Sequence, residues 1–421
     1  MPQKVHILGL GGVGMSALAQ VLIDQGHIVS GADRLVDNGT TTPVLDSLRH
    51  QGVAICPENG EGITAETNRV VVSTAIEETN PCLVRARTCG VPVVHRAAEL
   101  AAALADRKLV AVAGTCGKST VTALLGHLLA SCGFDPVVVN GAQIVGWDAD
   151  GARVGSVRRG AGEWAVAEVD ESDKSLTAFK PYAAIVTNAS ADHYSEEEMN
   201  EVFDAFIRNV PGPVIDGRAL LQNPEGEKAL WELAAACPLP GAHNRANAFL
   251  ALMMARALGA EVEALAAALA TFPGVERRLQ KVGVCGEAVV YDDYAHNPEK
   301  LAAMFRTLAE AYPKGVAVLW RPHGYAPIRK MMEPLAAMFC AVLREQDALL
   351  LLPVYDAGGT ADRSVNSDQL AARIPRARLV KDLNEAELVL RGLAPAVGAM
   401  VTAGARDPGL PVLARRLAGK E

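Results

Sequence analysis

A chain of 421 residues, half of them hydrophobic, is long enough for about two to four domains with large buried cores, and its abundance of glycine with only 5% aromatics suits layered α/β packing. A net charge of −8 argues against a nucleic-acid partner and a membrane surface, and no apolar run approaches the roughly 18 residues that a membrane span requires. Eight cysteines without a C-x-x-C pair suggest neither a zinc site nor a disulfide framework, so reduced thiols in a cytoplasmic protein are expected.

The apolar stretch from Val5 to Leu8 reads as a buried strand that opens into Gly9-Leu10-Gly11-Gly12-Val13-Gly14-Met15-Ser16. Gly9, Gly11 and Gly14 satisfy G-x-G-x-x-G, and the helical pattern continues through Ala17, Leu18, Val21 and Leu22. These glycines, with no cleavage-like segment, argue against reading the start as a signal peptide. A second strand, from His27 to Gly31, leads to Asp33, 24 residues after Gly9, where a dinucleotide-binding fold places its ribose-binding acid. The fingerprint suits a nucleotide diphosphate without choosing one, and a solvated turn is the alternative for Asp33. Further βα units follow over 70–76 and 91–96, and the first domain is expected to span 1–106.

The next strand, Leu109 to Ala113, breaks into Gly114-Thr115-Cys116-Gly117-Lys118-Ser119-Thr120, with a helix following. Strand, glycine turn, then Lys-Ser at a helix start is a phosphate-cradling arrangement, because free N–H groups and the helix dipole attract anionic oxygens. Lys118 is expected on the β- and γ-phosphates and the Ser119 hydroxyl on Mg²⁺. Val112 stands where the longer P-loop pattern has its first glycine, so the match is to the shorter G-x-x-G-K-S. Cys116 lies in a setting that lowers thiol pKa.

Trp164 to Asp173 is a strand running into four acids, Glu168, Asp170, Glu171 and Asp173, oxygen ligands of the kind Mg²⁺ takes. The strand from Ala183 to Val186 ends in Asn188, Asp192 and His193, on the same expected sheet edge. Asn244 and Asn247, three apart at a helix start, can present two amides to an adenine edge or serve simply as caps. Thr271–Gly274 reads as a linker, giving a central domain over 107–271 and a third over 272–421. In the third, Arg277-Arg278 forms a fork able to neutralise a phosphate. A strand from Ala288 opens into Asp292-Asp293-Tyr294-Ala295-His296-Asn297-Pro298, and Val316 to Trp320 ends in Arg321-Pro322-His323. With strands near 349–354 and 399–402, a third doubly wound sheet is expected.

Six motifs in order, G-L-G-G-V-G-M-S, G-T-C-G-K-S-T, A-E-V-D-E-S-D, T-N-A-S-A-D-H, G-A-H-N-R-A-N-A and D-D-Y-A-H-N-P, cover nearly the whole chain and resemble those of the Mur ligases of peptidoglycan synthesis. No lysine occurs from Pro181 to Glu227, whereas the later-acting members use a carbamylated lysine there, so the resemblance is to the alanine-adding branch. It implies an α/β fold of three domains: an N-terminal Rossmann-like UDP-sugar binder, a central P-loop ATPase-like parallel sheet, and a C-terminal Rossmann-like amino-acid domain. The implied reaction is ATP-dependent: the lactyl carboxylate of UDP-N-acetylmuramate becomes an acyl phosphate, which L-alanine or another small amino acid attacks, with ATP and Mg²⁺ required.

The resemblance implies roles residue by residue. Lys118, His193 and Glu168 are the catalytic set, with Ser119, Glu168 and His193 around the metal. Gly114, Thr115, Cys116, Gly117, Lys118, Ser119, Thr120, Asn244, Asn247, Arg278 and Asp293 would bind ATP. Gly9, Gly11, Gly12, Gly14, Met15, Ser16, Asp33, Ser73 and Arg96 would bind the UDP-sugar. His296, His323 and Arg329 would receive the amino acid. A monomer or homodimer with no nucleic-acid or membrane partner is expected. Three departures stand out: Cys116 and Ser119 replace the usual His or Asn and Thr, the 211–240 region is short, and Gly324 stands where the family has an arginine after the histidine. A murein tripeptide recycling ligase and a non-catalytic ATP-binding paralogue are the alternatives, and a dehydrogenase would leave Lys118 and the acidic strand ends without a use.

Overall fold

The computed structural model describes residues 1–148, 151–170, 175–189, 196–356 and 362–420. Among them are three sheets with helices between successive strands, as the alternating apolar runs and glycine turns require. The first comprises β1 (Lys4–Leu8), β2 (Ile28–Ala32), β3 (Ala54–Cys56), β4 (Arg69–Val72) and β5 (Val93–His95), all parallel, in the order β3-β2-β1-β4-β5. The order reverses between β1 and β4, so the glycine loop after β1 and Ser73 after β4 border the crevice where such sheets bind ligands.

The second sheet contains β6 (Lys108–Ala113), β7 (Val137–Val139), β8 (Val157–Arg158), β9 (Trp164–Glu168), β10 (Ala183–Val186) and β11 (Val214–Asp216), in the order β11-β10-β6-β9-β7-β8. Only the short edge strand β8 runs antiparallel. Val110 to Ala113 in β6 and all of β10 are buried on both faces, which explains their unbroken apolar sequences. Beyond β11 the short 211–240 region folds as helical turns, Gly217–Leu220, Pro224–Glu227 and Lys228–Ala234, with no further strand.

One apolar core, including Leu18, Leu22, Ala111, Val157, Phe179 and Phe203, runs through both sheets. Arg153 pairs with Asp24 at 2.5 Å, and the Val154 N–H donates to Gln20 Oε1 at 3.1 Å across the same junction. The chain accordingly divides into two compact units: Met1–Pro238 with His243–Val275, and Leu239–Ala242 with Glu276–Glu421. The break comes slightly later than the linker composition suggests. Phe272 meets the His127 ring edge-on at 5.5 Å, the Val145 N–H donates to Gly274 O at 3.2 Å, and Val275 bridges to Ile144, so 272–275 packs with the central sheet.

The second unit contains β12 (Gln280–Cys285), β13 (Ala288–Asp293), β14 (Val316–Trp320), β15 (Ala348–Leu351), β16 (Ala377–Leu379) and β17 (Ala399–Ala403), in the order β12-β13-β17-β14-β15-β16. All pairs are parallel except the β12–β13 hairpin. Phe305, Trp320 and Phe339 pack on one face, and Leu350, Leu390 and Leu413 on the other. No helix among the described residues is long and apolar enough to cross a membrane.

His6, on β1, is buried, and the desolvation of its ring lowers its pKa from 6.5 to about 4. Its neutral form is therefore the one that folds. The stability that His6 contributes should be fully present above pH 6.5 and fall progressively as the pH drops from about 6.5 to about 4, because the unfolded chain takes up a proton that the folded ring refuses. Thermal unfolding across this window should show a shallower acid slope in His6→Gln than in the wild type, whatever the absolute stability of the variant. Equal slopes would mean that His6 ionises freely in the fold.

Candidate active site

The central loop is built on Gly114 and Gly117, whose backbones take φ of 128° and 87°. A Cβ at Gly114 would lie 2.0 Å from Thr187 Oγ1, and one at Gly117 would lie 2.5 Å from Asn247 Oδ1, so both positions need glycine for approach as well as for conformation. The end of β10 clamps the loop between them. Cys116 N–H donates to Asn188 Oδ1 at 3.0 Å, while Cys116 O accepts from Thr187 Oγ1 at 2.6 Å and from Asn188 Nδ2 at 2.9 Å. The helix Lys118–Ser131 then begins at Gly117 with no side-chain cap, and helix starts of this kind attract anions. Lys118 Nζ folds back onto Gly114 O at 2.6 Å, and Ser119 and Thr120 are buried in the first turn.

Glu168 ends β9, the other neighbour of β6, so it reaches the same edge as Lys118. Its Oε2 accepts from Gly141 N–H at 2.8 Å, and its carboxylate fills the space that a Cβ at Gly141 would take, 2.4 Å away. One oxygen is thus fixed and the other keeps its lone pairs for a cation, the donor chemistry that Mg²⁺ selects. Asn244 and Asn247 are buried on the helix Ala242–Ala257, with Asn247 Nδ2 donating to Asn244 Oδ1 at 3.3 Å. Asn247 thereby joins the phosphate loop to the amide pair. His193, Asp192, Glu171 and Asp173 lie outside the described residues.

In the first sheet, Gly11 N–H donates to Asp33 Oδ2 at 2.7 Å and Leu35 N–H to Oδ1 at 3.0 Å, so the buried Asp33 carboxylate holds the glycine loop in place. Met15 is buried, and Ser16 Oγ donates to Gly12 O at 3.0 Å within the helix turn. The helix Val13–Asp24 starts at Gly12 without a side-chain cap. A Cβ at Gly14 would come within 3.1 Å of Arg96 Nη1, which places a guanidinium beside this uncapped N-terminus, a combination suited to a diphosphate. Ser73 is half-buried just after β4, and Gly9 turns the chain out of β1 with φ 67°.

In the second unit, Asp293 is buried, and its oxygens accept from Leu279 and Ala295 N–H groups, each at 2.6 Å; burial nonetheless pushes its carboxyl up to about 6. Arg277 is committed to Asp292 at 3.0 Å and to the carbonyls of Gly404 and Ala405. Arg278 stacks over Tyr294 at 5.6 Å and makes no ion pair with a described residue, so of the fork it is the arm not tied to a carboxylate. His296 and His323 meet edge-to-face at 5.0 Å. Burial above all, with the charges of His296, Arg406 and Lys300, pushes His323 down to about 4, so it is a neutral donor at pH 7. Arg329 is exposed and paired with Asp362 at 2.7 Å.

Two residues of this site carry no role in the sequence reading. Thr187 belongs to the quoted T-N-A-S-A-D-H motif, but its contact with Gly114 exists only after β10 pairs with β6. Gly141 has no motif at all. Only the approach of β9 makes it necessary.

Residues 4–108 match the family described as Mur ligase family, catalytic domain, and residues 277–406 the family described as Mur ligase, glutamate ligase domain. The chain is 33% identical over 422 residues to the UDP-N-acetylmuramate–L-alanine ligase of Sinorhizobium fredii, covering 89% of this chain and 87% of the relative. It is also 33% identical to the enzyme of that name from Methylocella silvestris, over 88% of this chain and 86% of the relative. Among solved structures it resembles the UDP-N-acetylmuramate–alanine ligase of Thermotoga maritima, with TM-score 0.75 at 24% identity, covering 99% and 98% of the two chains. A murein peptide ligase from Psychrobacter arcticus aligns with TM-score 0.67 at 19% identity, again covering 99% and 98%.

The half-exposed Cys116 stands in the clamped loop, where an added group would block an anion. Stoichiometric labelling by iodoacetamide should abolish ATP-dependent turnover in the wild type, Mg-ATP should slow it, and Cys116→Ser should resist it. Full activity after labelling at Cys116, confirmed by mass spectrometry, would rule out a nucleotide at this loop.

Proposed function

The chain belongs to the Mur ligase family, and from that premise we propose that it joins L-alanine to the lactyl carboxylate of UDP-N-acetylmuramate at the expense of ATP. The observation that carries the reading is the uncapped, glycine-turned Lys118 helix start facing Glu168 across adjacent strands. Lys118 Nζ, which donates to Gly114 O, turns to the charged β- and γ-phosphates when nucleotide enters. Glu168 and Ser119 would hold Mg²⁺, with His193 added by the resemblance. Held by these residues, Mg²⁺ would supply positive charge against the phosphate oxygens.

The lactyl carboxylate attacks the γ-phosphorus, the bond to the β-phosphate oxygen breaks, and ADP leaves. The neutral amine of the amino acid then attacks the acyl phosphate carbonyl, the C–O bond to phosphate breaks, and the amine's extra proton is lost as the amide forms. Charge moves mainly among phosphoryl oxygens, so the contribution of Lys118 and its loop is positioning and electrostatic stabilisation. Asn244 and Asn247 read the adenine side, with Arg278 and Asp293 on the phosphate and ribose. Gly9, Gly11, Gly12, Gly14, Met15, Ser16, Asp33, Ser73 and Arg96 form the UDP-sugar site.

Phosphate release should require ATP, UDP-N-acetylmuramate and a single amino acid together, with L-alanine preferred over a murein tripeptide. Lys118→Ala and Glu168→Ala should each lose at least about 100-fold in turnover while the unfolding midpoint stays unchanged. Near-normal ligation by either variant would remove that residue from the site, and release supported only by the tripeptide would move the chain to the recycling reaction.

A further inference from the structure

The second unit lacks an arginine at Gly324, although an amino-acid carboxylate needs a cation. Space is not the obstacle: a Cβ at Gly324 would meet only Pro327, at 3.5 Å. The neighbouring arginines are already engaged. Arg321 pairs with the buried Asp407 at 2.6 Å and donates to Pro353 O at 3.1 Å. Arg329 pairs with Asp362 at 2.7 Å and donates to the carbonyl of the same residue at 2.8 Å. Arg277 holds Asp292 and the β17 loop carbonyls.

Besides Arg278, two cations whose charges reach His323 are uncommitted. Lys300, in the first turn of the helix Pro298–Ala311, and Arg406, just after β17, make no side-chain ion pair or hydrogen bond with a described residue. The sheet brings them together. Ala403 of β17 stands in register with both Asp293 of β13 and Trp320 of β14, so the loops after all three strands leave the same end. Gly404 N–H donates to Asp293 O at 3.1 Å and Arg321 N–H to Ala403 O at 3.0 Å, stitching those loops side by side. His296 and His323 meet there, and the charges of Lys300 and Arg406 both act on the His323 ring. Like charges on neighbouring loops repel, and a bound carboxylate relieves that repulsion while leaving the Arg321 and Arg329 pairs intact.

We propose that Lys300 and Arg406, with His323 as a further donor, receive the carboxylate of the incoming amino acid in place of an arginine at position 324. This rests on the reading of the chain as an amino-acid ligase. The test is initial-rate kinetics of the full-length enzyme with L-alanine varied at saturating ATP and UDP-N-acetylmuramate. Lys300→Gln and Arg406→Gln should each raise the alanine KM roughly tenfold or more, with kcat and the ATP KM little changed, since the lost contact is made equally in ground and transition states. The preference for L-alanine over L-alaninamide, which lacks the carboxylate, should fall in proportion, and Lys300→Arg and Arg406→Lys should restore much of it. An unchanged alanine KM in both Gln variants, or a rise confined to Arg321→Gln or Arg329→Gln, overturns the assignment alone. Absence of any alanine-dependent phosphate release by the wild type overturns it together with the ligase reading.

Discussion

The central site depends on the backbone of one residue. Both polar atoms of the Cys116 backbone are taken by the end of β10, the N–H by Asn188 and the carbonyl by Thr187 and Asn188 together. A loop of glycines has many conformations to lose, and three hydrogen bonds from a buried strand end select one of them. With that backbone fixed, Gly117 takes its left-handed turn and the Lys118 helix starts without a side-chain cap. The strand pairing therefore does chemical work: β10 on one side of β6 supplies the clamp, and β9 on the other supplies Glu168.

The same device recurs at each glycine or loop corner. Asp33, Glu168 and Asp293 all sit just at or beyond strand ends, and each accepts from backbone N–H groups of a neighbouring loop. A carboxylate so held is preorganised, because its rotamer is fixed before any ligand arrives. The three differ in what they have left. Asp33 and Asp293 have both oxygens engaged, whereas only Oε2 of Glu168 receives a bond, so Glu168 has the most free capacity for a metal. Asp33 and Asp293 chiefly shape the loops beside them.

The second unit sorts its cations in a parallel way. Arg277 and Arg321 tie strand ends together through buried aspartates, which leaves them expensive to withdraw, while Lys300, Arg406 and Arg278 stay available to an anion. Exposed Arg329–Asp362 lies between these extremes, since a solvent-screened pair contributes little. A loop poor in committed positive charge beside a neutral His323 is suited to one small carboxylate.

The sequence by itself determined the strands and their ends. Apolar runs such as those of β6 and β10 have no other use than burial on two faces, and glycines at 9, 114 and 117 mark turns that other residues cannot make cheaply. Motif order along the chain was enough to identify the family. What tertiary structure decided was the partner of each group. Thr187 against Gly114, Gly141 against Glu168, Arg96 over Gly14, and the gathering of Lys300 and Arg406 near His323 join residues tens to more than a hundred positions apart. No local periodicity encodes such meetings, because they arise from which strands pair and in what register. The boundary at Val275 follows the same rule: Pro273-Gly274 reads as a linker locally, yet Phe272 and Val275 bury themselves against the central sheet, and packing outweighs turn propensity.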